Sequence, residues 1–254
     1  MEPKVFYPFL KKLIPMAITA LIVLWLYKYY GALEYTLNNM SEFIRLTWEH
    51  LFLVVISLAA ATTVGVSLGI IMTRKGFEAF GPAIMTLVNI WQSVPSLGVI
   101  ALAYGILPVF GLSGIGAVPA LIALFFHAVA PIVRNTYAGI QSVSKDIIEA
   151  ANGMGMTPRQ ILFKIELPNA LPIIMGGIRT STAIIVGTAP LAFLIGGGGL
   201  GFWIFTGIAL MDMGIMMAGA VPVALIAMAF DFLFARLEKI VVSEGIRAEE
   251  YQAV

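Results

Sequence analysis

Cysteine is absent from this 254-residue chain, which excludes disulfides, thiolate metal sites and cysteine nucleophiles together. Charge is scarce. Asp, Glu, Lys and Arg make up 11% of the residues, against about a quarter in a soluble domain, while hydrophobic residues reach 60%. A chain so composed cannot cover a water-facing surface, and the medium that suits it is a lipid bilayer. No metal-ligand cluster, catalytic triad or paired carboxylate occurs, so the chain is not expected to be an enzyme and no metal site is expected. The net charge of +1 identifies no partner, and no nucleic-acid interface is expected.

What is present is apolar runs. Six spans stand out, roughly Leu13–Tyr29, Leu51–Thr73, Ala83–Leu107, Ala117–Val133, Ile173–Ile195 and Gly214–Phe234. They predict an all-α, polytopic membrane protein with six transmembrane helices, a single domain over residues 1–254. The second span has no charge, and at about 1.5 Å per residue it is long enough to cross a hydrocarbon core of roughly 30 Å. An even number of spans puts both termini on one side. With the N-terminus inside, 13 of the 15 Lys and Arg residues face inward (among them Lys4, Lys11, Lys12, Arg74, Arg134, Arg179, Arg236 and Arg247), and only Lys28 and Arg45 face outward. That asymmetry predicts cytoplasmic termini. Lys11-Lys12 before an apolar run also suits a secretory signal. However, Leu26-Tyr27-Lys28-Tyr29-Tyr30 offers no small-residue cleavage site, and an uncleaved anchor is expected.

Two outer segments follow from this topology. Gly31–His50 is long enough for a short surface helix, and Gly196–Met213 opens with Gly-Gly-Gly-Gly-Leu-Gly. A phosphate loop is excluded for the glycine run, because no Gly-Lys-Ser/Thr follows and no strand precedes it. Flexible backbone and close helix packing are expected there.

The third span carries Thr86, Asn89, Gln92, Ser93 and Ser96 at spacings of three and four, which stacks them on one helical face. Pro95 lies in the same stretch. Lacking an N–H, it leaves the Trp91 carbonyl without its partner and predicts a kink or break. In hydrocarbon such a group persists only where protein or water satisfies it. The face therefore lines a solute route or forms a polar helix–helix interface. The fifth span holds Gly176 and Gly177 and the hydroxyls of Thr180, Ser181 and Thr182, which suit close packing, with Thr188 as its candidate for the solute route. Three ionisable residues remain near spans. His127 reads as an interior residue. Asp231, five residues before Arg236, reads as an ion pair or water contact, and Asp212 as a solvated group or a contact to an outer partner.

The most polar stretch between spans runs from Glu149 to Pro168 and divides into two short helices. The first is expected after Ser144, an N-cap with Asp146 in the first turn and the apolar residues Ile147, Ile148 and Ala151 on one side, stopping at Gly153 and Gly155. The second opens on Thr157-Pro158-Arg159-Gln160, a capping box with proline at its first position, and is expected to end at Leu167-Pro168.

Glu149-Ala150-Ala151, Gly155 and Ile165-x-Leu167-Pro168 resemble the EAA loop of binding-protein-dependent ABC importer permeases. The resemblance implies a cytoplasmic coupling loop over residues 136–170, with Glu149, Ala150, Ala151, Gly155, Ile165, Leu167 and Pro168 at the ATPase contact. Gln92-Ser93-Val94-Pro95-Ser96-Leu97, Pro131–Tyr137 and the Leu194–Gly201 run are similar to the osmoprotectant permeases, those for glycine betaine, carnitine and choline. The resemblance implies a prokaryotic cytoplasmic (inner) membrane protein that pairs with a second permease, two ATP-binding subunits and a separate extracytoplasmic substrate-binding protein. It implies no cofactor in this chain, with ATP and Mg belonging to the partner ATPase. The solute route would then include Asn89, Gln92, Ser93, Ser96 and Thr188. The alternatives are a permease for methionine or a sulfonate, or a secondary transporter. The last needs intramembrane charge or an inverted repeat, and neither is evident.

Overall fold

A computed structural model describes residues 3–242, with side chains described from Ile14 onward apart from Glu78. Arg247 and the side chains of Lys4, Lys11 and Lys12, counted in the charge asymmetry, lie outside the described residues. Every regular element among those described is helical.

Helix α1 (Pro3–Tyr29) turns at Gly31 into α2 (Ala32–Asn38) with a bend of 63°. Gly31 has φ +73°, a left-handed conformation that glycine reaches without strain. Helix α3 (Met40–Ile71) begins well before the expected second span. Leu46, His50 and Leu53 are buried at helical spacing, so the amphipathic pattern extends the helix back through Met40–His50. The short surface helix expected in this region is α2 alone.

The expected third span is not one rod. Helices α4 (Gly81–Gln92) and α5 (Ser96–Ile106) meet at 99°. Val94 N–H reaches the Trp91 carbonyl at 3.0 Å, so the acceptor that Pro95 deprives of its usual partner is not left empty. Pro95 itself is extended, with ψ 141°, and its carbonyl starts α5 by accepting Val99 N–H. Among the described residues four helical stretches are long and apolar enough to cross a membrane singly; six spans result only if each bent pair counts as one.

Helix α6 (Ala117–Gln141) is the centre of the bundle, packed between α3 and α9 (Leu167–Thr188) and also touching α4 and α5. Glycines make these approaches close. A Cβ on Gly65 would stand 2.8 Å from Ile132, one on Gly69 2.6 Å from Thr136, and one on Gly177 2.7 Å from Asn135. Small residues let membrane helices gain packing that lipid cannot supply. Ser57 donates to the Leu121 carbonyl at 3.2 Å and Ser181 to that of Ala128 at 2.6 Å, stitching α3 and α9 onto α6. Helices α10 (Gly201–Leu210) and α11 (Met213–Val241) pair with each other, and α11 also packs on α9.

The loop holds α7 (Lys145–Gly153) and α8 (Pro158–Ile161). The second helix does not end at Leu167-Pro168. It passes through a π turn at Leu162–Glu166 into α9, giving a continuous helical stretch over Pro158–Ile195. The wider hydrogen bonding of a π turn accommodates the missing Pro168 N–H and the bulk of its ring, which would otherwise break the helix.

Candidate functional site

The loop is built from local signals. Ser144 Oγ accepts the Asp146 N–H at 3.3 Å and starts α7. Gly155, with φ +75°, turns the chain, and Met156 N–H then bonds the Ala151 carbonyl at 3.1 Å. Thr157 and Gln160 form a reciprocal capping box: Gln160 Oε1 accepts the Thr157 N–H at 2.8 Å, and Thr157 Oγ1 accepts the Gln160 N–H at 3.4 Å.

The residues of the motif divide by exposure. Ala151 is fully buried, and Ile165, Leu167 and Pro168 are half-buried. Glu149 and Ala150 are exposed, as are Ile147, Met154 and Phe163. Ile147 is thus not on the inward side with Ile148 and Ala151, as expected from spacing alone. Instead Ile147, Ala150 and Met154, at spacings of three and four, form a free face on α7. Behind the loop lies a cavity of about 510 Å³ between Met72, Tyr137, Gln141, Lys145 and Glu166. Glu166 is buried and stands 2.7 Å from Arg74, just beyond the C-terminal end of α3. Sequence reasoning did not single out this pair. A carboxylate flanked by apolar residues beside a proline was the available signal.

On α4, Asn89 and Ser93 are exposed and Gln92 is half-buried, as is Ser96 at the start of α5. Two hydroxyls of this face return to their own helix: Thr86 bonds the Pro82 carbonyl and Ser93 that of Asn89. The side-chain oxygens of Asn89 and Gln92 both accept from Nη2 of Arg134 on α6, the latter at 2.7 Å. Arg134 was expected just beyond the fourth span. That span continues to Gln141, so the guanidinium lies within the helix. Thr188 bonds its own helix at Ile184, 2.8 Å away, and shares no hydrogen bond with this group.

The opposite end of the bundle carries a second network. Glu49 accepts from Arg45 at 2.7 Å and from the Gly199 N–H at 2.9 Å, and Glu42 accepts from the indole of the buried Trp203 at 2.9 Å. The glycine run is therefore fastened to α3. Asp212 caps α11 by accepting the Ile215 N–H at 3.0 Å. Asp231 does form an ion pair, but with Arg179 at 2.8 Å, which also meets Glu238 at 3.2 Å. Residues five apart on a helix do not share a face, and Arg236 lies over the Phe232 ring instead.

Residues 65–243 match the family described as binding-protein-dependent transport system inner membrane component. The chain is 43% identical to the osmoprotectant import permease protein OsmY of Salmonella typhimurium over 226 residues, covering 89% of this chain and 93% of that one. It is 41% identical to the choline transport system permease protein OpuBB of Bacillus subtilis over 214 residues, 84% of this chain and 95% of the relative. Among solved structures, inward-facing conformations of the MetNI methionine ABC transporter are similar, with a TM-score of 0.70, 25% identity, and coverage of 80% of this chain and 98% of that one.

Proposed function

The chain belongs to the family of binding-protein-dependent transport system inner membrane components, and from that premise we propose that it is the permease of an ATP-driven importer of glycine betaine, carnitine, choline or a related quaternary ammonium osmoprotectant. One observation carries the solute class: identity of 41–43% over more than four-fifths of the chain to permeases named for choline and for osmoprotectants.

In this reading both termini and the loop 136–170 face the cytoplasm, and α7 inserts its free face of Ile147, Ala150 and Met154, with Glu149 beside it, into an ATP-binding subunit. An exposed apolar face on a polar loop suits a partner surface. Ala151, Gly155, Ile165, Leu167 and Pro168 act behind that contact by shaping the loop. Two permeases, alike or different, associate with two ATPases and an outer binding protein. ATP and Mg serve in the ATPase. The helical stretch Pro158–Ile195 then acts as the lever: ATP-driven closure displaces α7, and α9 carries the displacement across the membrane while Glu166 and Arg74 keep the lever in register with α3. The permease alternates because its inward and outward states bind the two partners differently. Asn89, Gln92, Ser93, Ser96 and Thr188 line the solute route. Selectivity for a quaternary ammonium rests mainly on aromatic rings of the binding protein, which attract such a cation without a formal charge.

The test is uptake. The permease, expressed with the ATPase and binding protein of its own gene cluster in a host deficient in osmoprotectant import, should accumulate labelled glycine betaine, carnitine or choline at high osmolarity. Accumulation of methionine or a sulfonate alone would overturn the solute assignment and leave the importer assignment standing.

A further inference from the structure

Arg134 stands seven residues inside the inner end of α6, about 10 Å along the helix axis. Among the described residues no carboxylate is in ion-pair contact with it. The acids of neighbouring elements are engaged elsewhere: Glu166 with Arg74, Asp231 and Glu238 with Arg179, and Glu42 and Glu49 with Arg45. A guanidinium has five N–H donors. Both hydrogen bonds of Arg134 use Nη2, so the Nε and Nη1 donors have no protein acceptor among the described residues. The residue is half-buried rather than enclosed.

Two further features set the sign of this surface. The oxygens of Asn89 and Gln92 each accept from Arg134, which leaves their NH₂ donors turned to other partners and draws the oxygens' negative charge toward the guanidinium. The exposed Asn89 and Ser93 continue the same polar face. An unneutralised cation with unfilled donors is costly against hydrocarbon, so this face meets water or protein. It offers donors and positive charge, and no carboxylate. Such a surface attracts an anion, whereas a bare cation gains nothing from it.

We propose that Arg134 is a carboxylate-recognising residue of the solute route, held by Asn89 and Gln92, and that through it the permease favours zwitterionic quaternary ammonium solutes over those lacking a carboxylate. This rests on the reading of the Gln92/Ser93/Ser96 face as the route. The planar guanidinium suits a carboxylate because its parallel N–H donors match the two oxygens.

The experiment uses the assembled permease–ATPase complex without binding protein, so that selectivity of the outer partner does not enter. A cysteine replaces Ser93 in this cysteine-free chain, and its reaction with a water-soluble thiol reagent is followed in each nucleotide state. Glycine betaine should slow the reaction in the state where the cysteine is accessible, and tetramethylammonium at equal concentration should not. Arg134→Gln should raise the betaine concentration needed by about tenfold, the scale of one charged hydrogen bond. Arg134→Lys, which keeps the charge but loses the paired donors, should fall between the native residue and Arg134→Gln. Asn89→Asp, which gives the guanidinium an internal carboxylate at nearly unchanged shape, should lose protection as Arg134→Gln does, and it asks the same question if the glutamine variant fails to assemble. Equal protection by tetramethylammonium, or undiminished betaine protection in the assembled Arg134→Gln or Asn89→Asp complex, overturns the proposal. A Ser93→Cys thiol that never reacts in any nucleotide state refutes the route itself. A reactive thiol that betaine does not protect refutes Arg134 as a betaine-carboxylate site while leaving the route intact.

Discussion

The Glu166 carboxylate lies 2.7 Å from the Arg74 guanidinium and joins the π turn after the loop to the C-terminal end of α3, 92 residues earlier in the chain. Arg74 is held in place by its own surroundings, donating to Thr73 Oγ1 at 2.8 Å and to the Ile70 carbonyl at 3.3 Å. Only 11% of the Glu166 side chain is exposed, so losing one partner leaves the other charge poorly solvated. Arg74→Ala should therefore destabilise the detergent-solubilised protein by roughly 3 kcal/mol, and Arg74→Ala combined with Glu166→Ala should cost less than the two single changes added. Thermal unfolding of the four proteins measures the coupling. Strict additivity would mean that the pair contributes nothing.

Glu149→Lys should leave the loop folded, because Glu149 is exposed and makes no hydrogen bond or ion pair among the described residues. Its effect should fall on capture of the ATPase during purification and on transport-coupled ATP hydrolysis. Gly155→Val acts differently. A Cβ there meets open space, but φ +75° strains any β-branched residue by about 1–2 kcal/mol, so the turn between α7 and α8 should distort. Retained ATPase capture and transport in both variants would remove this loop as the docking site.

Single cysteines at Gln92, Ser93 and Ser96 should react with water-soluble thiol reagents to an extent that changes with nucleotide. Ser93, exposed, should be the most reactive of the three, since Gln92 and Ser96 are half-buried. Mass spectrometry of the labelled protein reads the result. Protection of all three in every state would assign the face to a helix interface.

Gly65→Val and Gly69→Val should each lower stability by about 1–3 kcal/mol, because the added side chain meets Ile132 or Thr136 at less than van der Waals distance. Gly105→Ala, where a Cβ has no neighbour within 4 Å, should be neutral or slightly stabilising. Thermal melts of the three variants suffice. A loss at Gly105 equal to that at Gly65 would show that close packing of α3 on α6 is not the cause.

Much of this molecule was legible from residues close together in the chain. Ser144 with Asp146, Gly155, and Thr157 with Gln160 were readable because a helix cap is satisfied within a few residues of itself. The membrane class was readable because hydropathy adds along a run. Pro95 announced a break for the same local reason, a missing N–H. It could not announce the 99° bend, which depends on how α4 and α5 each pack on α6. Leu167-Pro168 read as a stop, since proline ends most helices, whereas a π turn behind the Glu166–Arg74 contact carries the helix through.

Sequence by itself determined an all-helical chain built for a bilayer, the polar face of α4, and the two punctuated helices of the loop. Tertiary structure decided which side chains meet: Arg134 with Asn89 and Gln92, Arg179 with Asp231, and Glu49 with the Gly199 N–H. The physical reason lies in the range of the interactions. Caps and apolar runs are settled by neighbours in the chain, while an intramembrane charge takes its partners from whichever helix crosses beside it, and Gly65, Gly69 and Gly177 set how closely α3 and α9 approach α6.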